Sequence, residues 1–156
     1  MALVAVVVGL GELLWDLFAD GKTLGGAPAN FAFHAAQLGH EAFVASRVGR
    51  DDLGRQMLVE LGQRRLDTSG VQLDDCHPTG TVPVQVSSDG TATFSIVPDV
   101  AWDYLEDLPA LHDLMRRADL VCVGTLAQRG ERTREAIQRL LCSKSPEVRM
   151  ARPLTW

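Results

Sequence analysis

A short stretch near the amino terminus combines glycines with hydrogen-bonding side chains. Gly25 and Gly26 leave their backbone N–H groups open to a ligand, because neither residue carries a side chain that blocks the approach. Asn30 presents an amide that both donates and accepts hydrogen bonds, and the earlier Asp16 presents a carboxylate that only accepts them. This set of groups suits a polyhydroxylated ligand such as a sugar.

The same residues also allow a purely structural interpretation. In that interpretation Asn30 caps a helix, Asp16 is solvated and the two glycines only form a turn. The residue types alone leave both interpretations open.

Other motifs that could carry chemistry are incomplete. Gly9 and Gly11 follow an apolar run, but Leu14 stands where a dinucleotide-binding GxGxxG sequence needs its third glycine. The sequence contains no Walker A motif and no Gly-x-Ser-x-Gly elbow. Its four histidines and three cysteines show no metal-ligand spacing, so we expect no metal site.

Composition restricts the class of protein. The 156 residues are 46% hydrophobic and 22% charged, which is typical of one folded domain and argues against a disordered chain. The net charge of −5 argues against a nucleic-acid partner. The opening apolar run is too short to span a membrane and lacks the features of a secretory signal. Scattered cysteines favour a reducing compartment, so we expect a cytoplasmic protein.

Apolar runs and amphipathic segments alternate along the chain. The runs at 3–8, 41–49 and 119–124 have the continuous apolar character of strands buried on both faces. A helix is predicted from Pro28 to Gly39, and further helices follow at 51–65 and 130–141. This alternation predicts an α/β fold with a mostly parallel sheet flanked by helices.

Residues 81–97 behave differently, because apolar and polar residues alternate on either side of a Ser-Asp-Gly turn. That pattern predicts a hairpin with one buried face and one solvated face. A second extended pair is predicted around Asp20 and Gly21. The two pairs are expected to form a small sheet outside the main layer.

The spacing around the glycines resembles a known signature. From Gly25 the chain runs Gly-Gly-Ala-Pro-Ala-Asn-Phe-Ala, and Gly39 and Gly49 follow at the expected distances. This resembles the first signature of the ribokinase-like (PfkB) carbohydrate kinase family, and "GELLWD", "RVGRDDLG", "AWDYL" and "GTLAQR" are similar to further family segments. The resemblance covers about residues 5–143. It implies the N-terminal part of a ribokinase-like fold (residues 1–143), in which segments at about 12–25 and 80–101 form a β-sheet lid.

The resemblance also implies a sugar site. Asp16, Gly25, Gly26 and Asn30 would hold the sugar hydroxyls. The residues that would lie on the lid side and at the mouth of the pocket are Phe94, Trp102, Gln128 and Arg129. For Trp102 an alternative stays open, in which the indole closes the lid against the core.

The function that the resemblance implies is ATP-dependent phosphorylation of a sugar hydroxyl by a fructokinase-like enzyme. Fructose is the favoured sugar, ATP and Mg²⁺ are the cofactors of the full-length family, and the lid is a possible contact between two subunits of a homodimer. The alternative is a non-catalytic remnant that binds sugar or dimerises through the lid.

One family feature is missing. The second signature of the family contains Gly-Ala-Gly-Asp, whose aspartate is the catalytic base, and this sequence contains no such segment. After Leu141 the family pattern stops, so we expect no further strand and interpret residues 144–156 as an aberrant tail. We therefore expect a truncated chain that carries the sugar-binding half, contains no catalytic residue and is inactive alone.

Overall fold

Strands and helices alternate along the part of the chain that the structure, a computed structural model, describes, which is residues 4–143 and 149–151. The strands are β1 (Val6–Leu10), β2 (Leu14–Phe18), β3 (Gly21–Gly25), β4 (Glu41–Gly49), β5 (Val71–Asp74), β6 (Gly80–Val86), β7 (Ala92–Phe94), β8 (Leu120–Val123) and β9 (Arg149–Ala151). The helices are α1 (Ala27–Gln37), α2 (Asp52–Gln63), α3 (Pro109–Arg117) and α4 (Glu131–Cys142), and short 3₁₀ helices cover Ala101–Tyr104 and Leu126–Arg129. None of the described helices is long and apolar enough to cross a membrane.

The main sheet has five strands in the order β5-β4-β1-β8-β9, and every pairing in it is parallel. The central strand β1 sends Val8 and Leu10 into one core with α3 and α4, and Val7 into a second core with α1 and α2. A parallel strand covered on both faces needs apolar residues at successive positions, which explains the valine run. The predicted α/β sheet flanked by helices is confirmed, although β1 extends two residues beyond its predicted end.

The expectation that no strand follows Leu141 is wrong. Arg149–Ala151 forms β9, which pairs in parallel with β8. Without β9, the N–H and C=O groups along the outer edge of β8 would be unpaired. A short segment can pair with such an edge even when its own sequence has no clear strand pattern. Such a pairing depends on a distant neighbour and leaves little signal in the local sequence. The proposed boundary between residues 143 and 144 stays a prediction.

The predicted small sheet is confirmed. It has four strands in the order β3-β2-β6-β7. The extended pair β2–β3 and the hairpin β6–β7 are both antiparallel, and a parallel pairing of β2 with β6 joins them. The small sheet thus lies apart from the parallel layer, as the alternating pattern of residues 81–97 indicated.

Two glycines place helix α1 against the main sheet. At Gly9 the helix lies directly on β1, because a Cβ atom built there would be 2.1 Å from the carbonyl oxygen of Pro28. Gly26, immediately before α1, has a φ of 107°, which residues with side chains rarely adopt. Pro28 lies in the first turn, as predicted. The start of α1 is therefore fixed close to the end of β1.

Candidate functional site

The topology creates a crevice at the carboxyl ends of β1 and β8. After β1 the chain passes through β2 and β3 and returns by α1 to β4 on one side of β1, whereas β8 pairs on the other side. Ligands of open parallel sheets bind outside the carboxyl ends of the strands at such a change of direction. The segments that border the crevice are Gly11–Glu12 after β1 and residues 124–129 after β8.

A cavity of about 320 Å³ lies between this crevice and the small sheet. Its lining residues are Glu12, Leu14, Asp16, Gly26, Ala27, Val82, Phe94, Ile96 and Leu126. The polar groups belong to two carboxylates and the start of α1, and the hairpin β6–β7 supplies apolar side chains. A mostly apolar cavity with a few convergent polar groups is typical of small-molecule sites.

Three of the predicted site residues, Asp16, Gly26 and Phe94, line this cavity. Asp16 is half-buried, and burial raises the pKa of its carboxyl group above 3.8. Gly25 lies against that carboxylate, since a Cβ atom at position 25 would be 2.4 Å from Asp16 Oδ2. Gly25 therefore leaves the space in which the Asp16 side chain sits.

Asn30 lies inside helix α1, and its side chain is exposed. Its backbone N–H donates to the carbonyl oxygen of Gly26 at 3.0 Å. The alternative that Asn30 caps the helix is wrong, because α1 begins at Ala27 and Gly26 occupies the cap position. Asn30 is not among the residues that line the cavity, so its contact with a sugar stays a prediction.

The structure does not bring Trp102, Gln128 and Arg129 to the wall of the cavity. Trp102 is only 1% exposed and belongs to the core beneath α3 and α4. Arg129 lies over the Trp102 ring at 4.1 Å from its centroid and pairs with Asp103 at 2.6 Å. Gln128 donates from Nε2 to the carbonyl oxygen of Gly124 at 2.9 Å. Roles for these three residues in sugar binding stay predictions.

Glu12 is the polar residue of the cavity that the sequence did not single out. It is 4% exposed, and its Oε2 accepts a hydrogen bond from the backbone N–H of Ala127 at 3.0 Å. Burial raises the pKa of Glu12 above 4.5, although backbone amides, including those of Ala127 and Ala27, act in the opposite direction. A single carboxylate within the apolar run Leu10–Trp15 was the available signal.

Among the described residues, no group of three or more histidine, cysteine, aspartate or glutamate side chains is arranged to hold a metal ion. The cavity, with its carboxylates and backbone groups, is suited to binding a neutral polar ligand.

Comparison with known proteins defines the class. The model of the pfkB family carbohydrate kinases matches residues 2–150. This match covers almost the whole chain, which therefore belongs to the pfkB family of carbohydrate kinases. The family that the glycine spacing resembled is thereby confirmed.

Relatives and solved structures agree with this assignment. The chain is 39% identical over 108 residues to a fructokinase from Salmonella typhimurium, covering 64% of this chain and 35% of that protein. It is 29% identical over 147 residues to a sugar kinase from Pyrococcus horikoshii, covering 87% of this chain and 47% of that protein. The chain spans about half the length, or less, of the curated relatives that it matches.

The crystal structure of an uncharacterized sugar kinase from Pyrococcus horikoshii superposes with a TM-score of 0.86 at 27% identity, covering 95% of this chain and 52% of that chain. The apo fructokinase from Vibrio cholerae O395 gives a TM-score of 0.77 at 26% identity, with coverages of 95% and 52%. The ribokinase-like fold implied by the sequence is confirmed.

Proposed function

We propose that this chain forms the sugar-binding half of an ATP-dependent, fructokinase-like sugar kinase, and that fructose binds in the cavity beside Asp16. The observation that carries the proposal is that a cavity at the carboxyl ends of β1 and β8 is lined by Asp16 and Gly26, which lie in two segments that resemble the family. Relatives that bear the name fructokinase support fructose as the sugar.

The proposed contacts follow from the chemistry of the lining. The Asp16 carboxylate accepts hydrogen bonds from sugar hydroxyls, and the backbone N–H of Gly26 supplies a complementary donor. Gly25 contributes by leaving room for the Asp16 side chain. Asn30 reaches the sugar with its amide. The Phe94 ring, on the hairpin side, covers the C–H groups of the sugar.

The proposed reaction transfers the γ-phosphoryl group of ATP to a sugar hydroxyl. A structure of the Pyrococcus horikoshii sugar kinase in complex with ATP, at 27% identity and a TM-score of 0.82, supports ATP as the donor. The sequence contains no Gly-Ala-Gly-Asp segment, so we assign the catalytic base and most contacts to ATP and Mg²⁺ to residues that this chain does not contain. All three cysteines are free thiols, which supports a cytoplasmic location.

Substitution of Asp16 tests the sugar site. A hydrogen bond to a charged group contributes about 1.5–3 kcal/mol, so Asp16→Ala is expected to weaken fructose binding about 10- to 100-fold by titration calorimetry. Because burial raises the pKa of Asp16, binding should begin to weaken on acidification at a pH above the ordinary aspartate range. In Asp16→Asn this pH dependence should disappear.

Asp20→Ala is the matched control, since Asp20 is an exposed aspartate at the turn of the same β2–β3 pair. It should bind fructose as the unsubstituted chain does. Equal affinity in Asp16→Ala and Asp20→Ala would contradict the proposed site.

We also propose that the small sheet is a lid and a contact surface between two subunits. Buried Val82 and Val84 pack with Leu14, but Val86 is 60% exposed, and Phe94 and Ile96 are exposed beside it. By the register of the hairpin, Val86 and Phe94 lie on the same face of it, and exposed apolar side chains grouped in this way are typical of interaction sites. A second copy of the chain, packed on this face, would cover it.

Val86→Asp tests the subunit contact, because Val86 lies outside the cavity. A charge placed in an apolar interface is buried there without a partner, so the dimer dissociation constant is expected to rise at least about tenfold in sedimentation velocity. Val59→Asp is the control, since Val59 is 61% exposed on α2. A protein that stays monomeric at every concentration would exclude the contact.

A further inference from the structure

Glu12 occupies an unusual position for an ionisable side chain. It follows the central strand at the crevice, is almost fully buried, and directs Oε2 to the backbone N–H of Ala127. Burying a carboxylate costs free energy, and the raised pKa of Glu12 reflects that cost. An apolar side chain would avoid that cost, so the carboxylate must serve the groups around it.

Glycines create the space that Glu12 fills. A Cβ atom at Gly124 would be 2.0 Å from Glu12 Oε2, and a Cβ atom at Gly26 would be 2.4 Å from the Glu12 carbonyl oxygen. The start of α1 and the end of β8 therefore both approach Glu12 so closely that neither position can carry a side chain. Glu12 is enclosed by the backbone of the two segments that border the crevice.

The same two segments form walls of the cavity. Gly26 and Ala27 line it from the start of α1, and Leu126 lines it from the 3₁₀ helix that contains Ala127. Without an acceptor at position 12, the buried N–H of Ala127 would lose its partner and the 3₁₀ helix would be free to move. Pre-organised walls are what a selective small-molecule site requires.

We propose that Glu12 is a positioning residue of the sugar site, whose carboxylate fixes the 3₁₀ helix at Leu126–Arg129 against the start of α1 and so shapes the cavity. The sugar part of this proposal rests on the proposed function. The positioning part concerns the ligand-free protein and can be measured without any sugar.

Hydrogen exchange of the 156-residue chain without ligand tests the positioning. Glu12→Met keeps the length of the side chain but removes the acceptor, so the amide of Ala127 is expected to exchange about tenfold faster. Glu12→Gln keeps an acceptor oxygen and should restore protection. If Glu12 only filled space, Glu12→Met and Glu12→Gln would give the same exchange rate at Ala127.

Two further variants keep the test decisive if Glu12→Met does not fold. Gly124→Ala displaces the carboxylate and should also speed exchange at residues 124–129. Thr133→Val is the matched control, because it removes the buried hydrogen bonds of Thr133 with Leu105 and Trp102, and Thr133 is not among the residues that line the cavity. It should leave exchange at Ala127 unchanged.

Fructose titration of the same variants gives the second measurement. Glu12→Met and Gly124→Ala are expected to bind fructose about tenfold more weakly, while Glu12→Gln and Thr133→Val bind as the unsubstituted chain does. Unchanged exchange at Ala127 in both Glu12→Met and Gly124→Ala would overturn the positioning role. If the unsubstituted chain binds no fructose, the proposed function fails, and the exchange data alone decide the role of Glu12.

Discussion

The 156-residue chain is expected to transfer no phosphoryl group from ATP to fructose. A sugar hydroxyl needs a base to accept its proton, and such general-base catalysis contributes about 10²- to 10⁴-fold to the rate. The developing charge on the phosphoryl group needs donors directed at it, each worth about 10²- to 10³-fold. By the family resemblance, both contributions would come from a Gly-Ala-Gly-Asp segment, and this sequence contains no such segment.

The carboxylates of the cavity do not replace that base. Glu12 is enclosed and occupied by the N–H of Ala127, and Asp16 is assigned to the sugar hydroxyls. Any residual turnover would therefore lie at least about 10⁴-fold below that of an intact family kinase.

The assay is transfer of radiolabelled γ-phosphate to fructose, with a purified fructokinase from Salmonella typhimurium as the positive control. Asp16→Ala, purified in parallel, detects contaminating host kinases, because a contaminant would give the same rate in both preparations. Fructose-dependent turnover that is present in the unsubstituted chain and lost in Asp16→Ala would show that the catalytic base lies in this chain.

The sequence predicted the features that depend on local spacing. Gly25, Gly26 and Pro28 are close in the chain, and the backbone freedom of glycine and the fixed φ of proline act on their own neighbours. The start of α1 and the strand pair β2–β3 therefore followed from the sequence. The alternation of residues 81–97 predicted the hairpin β6–β7 for the same reason.

Features that depend on distant partners were not predictable in this way. Glu12 and Ala127 are 115 residues apart, and the reason for a carboxylate at position 12 becomes visible only when β8 lies beside β1. Strand β9 likewise depends on the edge of β8. In both cases the decisive partner is supplied by the fold and not by the neighbouring residues.

The position of Trp102 in the core also depends on distant partners and could not be predicted from the neighbouring residues. Replacing Trp102 has the largest expected effect on the stability of the protein. The side chain is 1% exposed in the core beneath α3 and α4, and a Cβ atom at Gly80 would lie 2.3 Å from its Nε1. Replacing a buried tryptophan with alanine leaves a cavity and typically costs about 3–5 kcal/mol. We expect a loss of that size for Trp102→Ala in urea denaturation.

Phenylalanine variants at the two buried tryptophans separate packing from hydrogen bonding. Trp15 donates from Nε1 to the carbonyl oxygen of Leu53 at 3.0 Å, whereas the buried Nε1 of Trp102 has no hydrogen-bond partner among the described residues. Trp15→Phe should therefore lose about 0.5–1.5 kcal/mol more than Trp102→Phe, because only the first substitution removes a hydrogen bond.

Fructose titration of Trp102→Phe then distinguishes the two roles considered for this residue. If the indole is part of the core, Trp102→Phe binds fructose with unchanged affinity, because the ring that remains still fills most of the site beneath Arg129. If the indole contacts the sugar, affinity falls while stability is retained. The position of Trp102 beneath α3 and α4 leads us to expect the first result, with the stability loss in Trp102→Ala far exceeding any change in fructose binding.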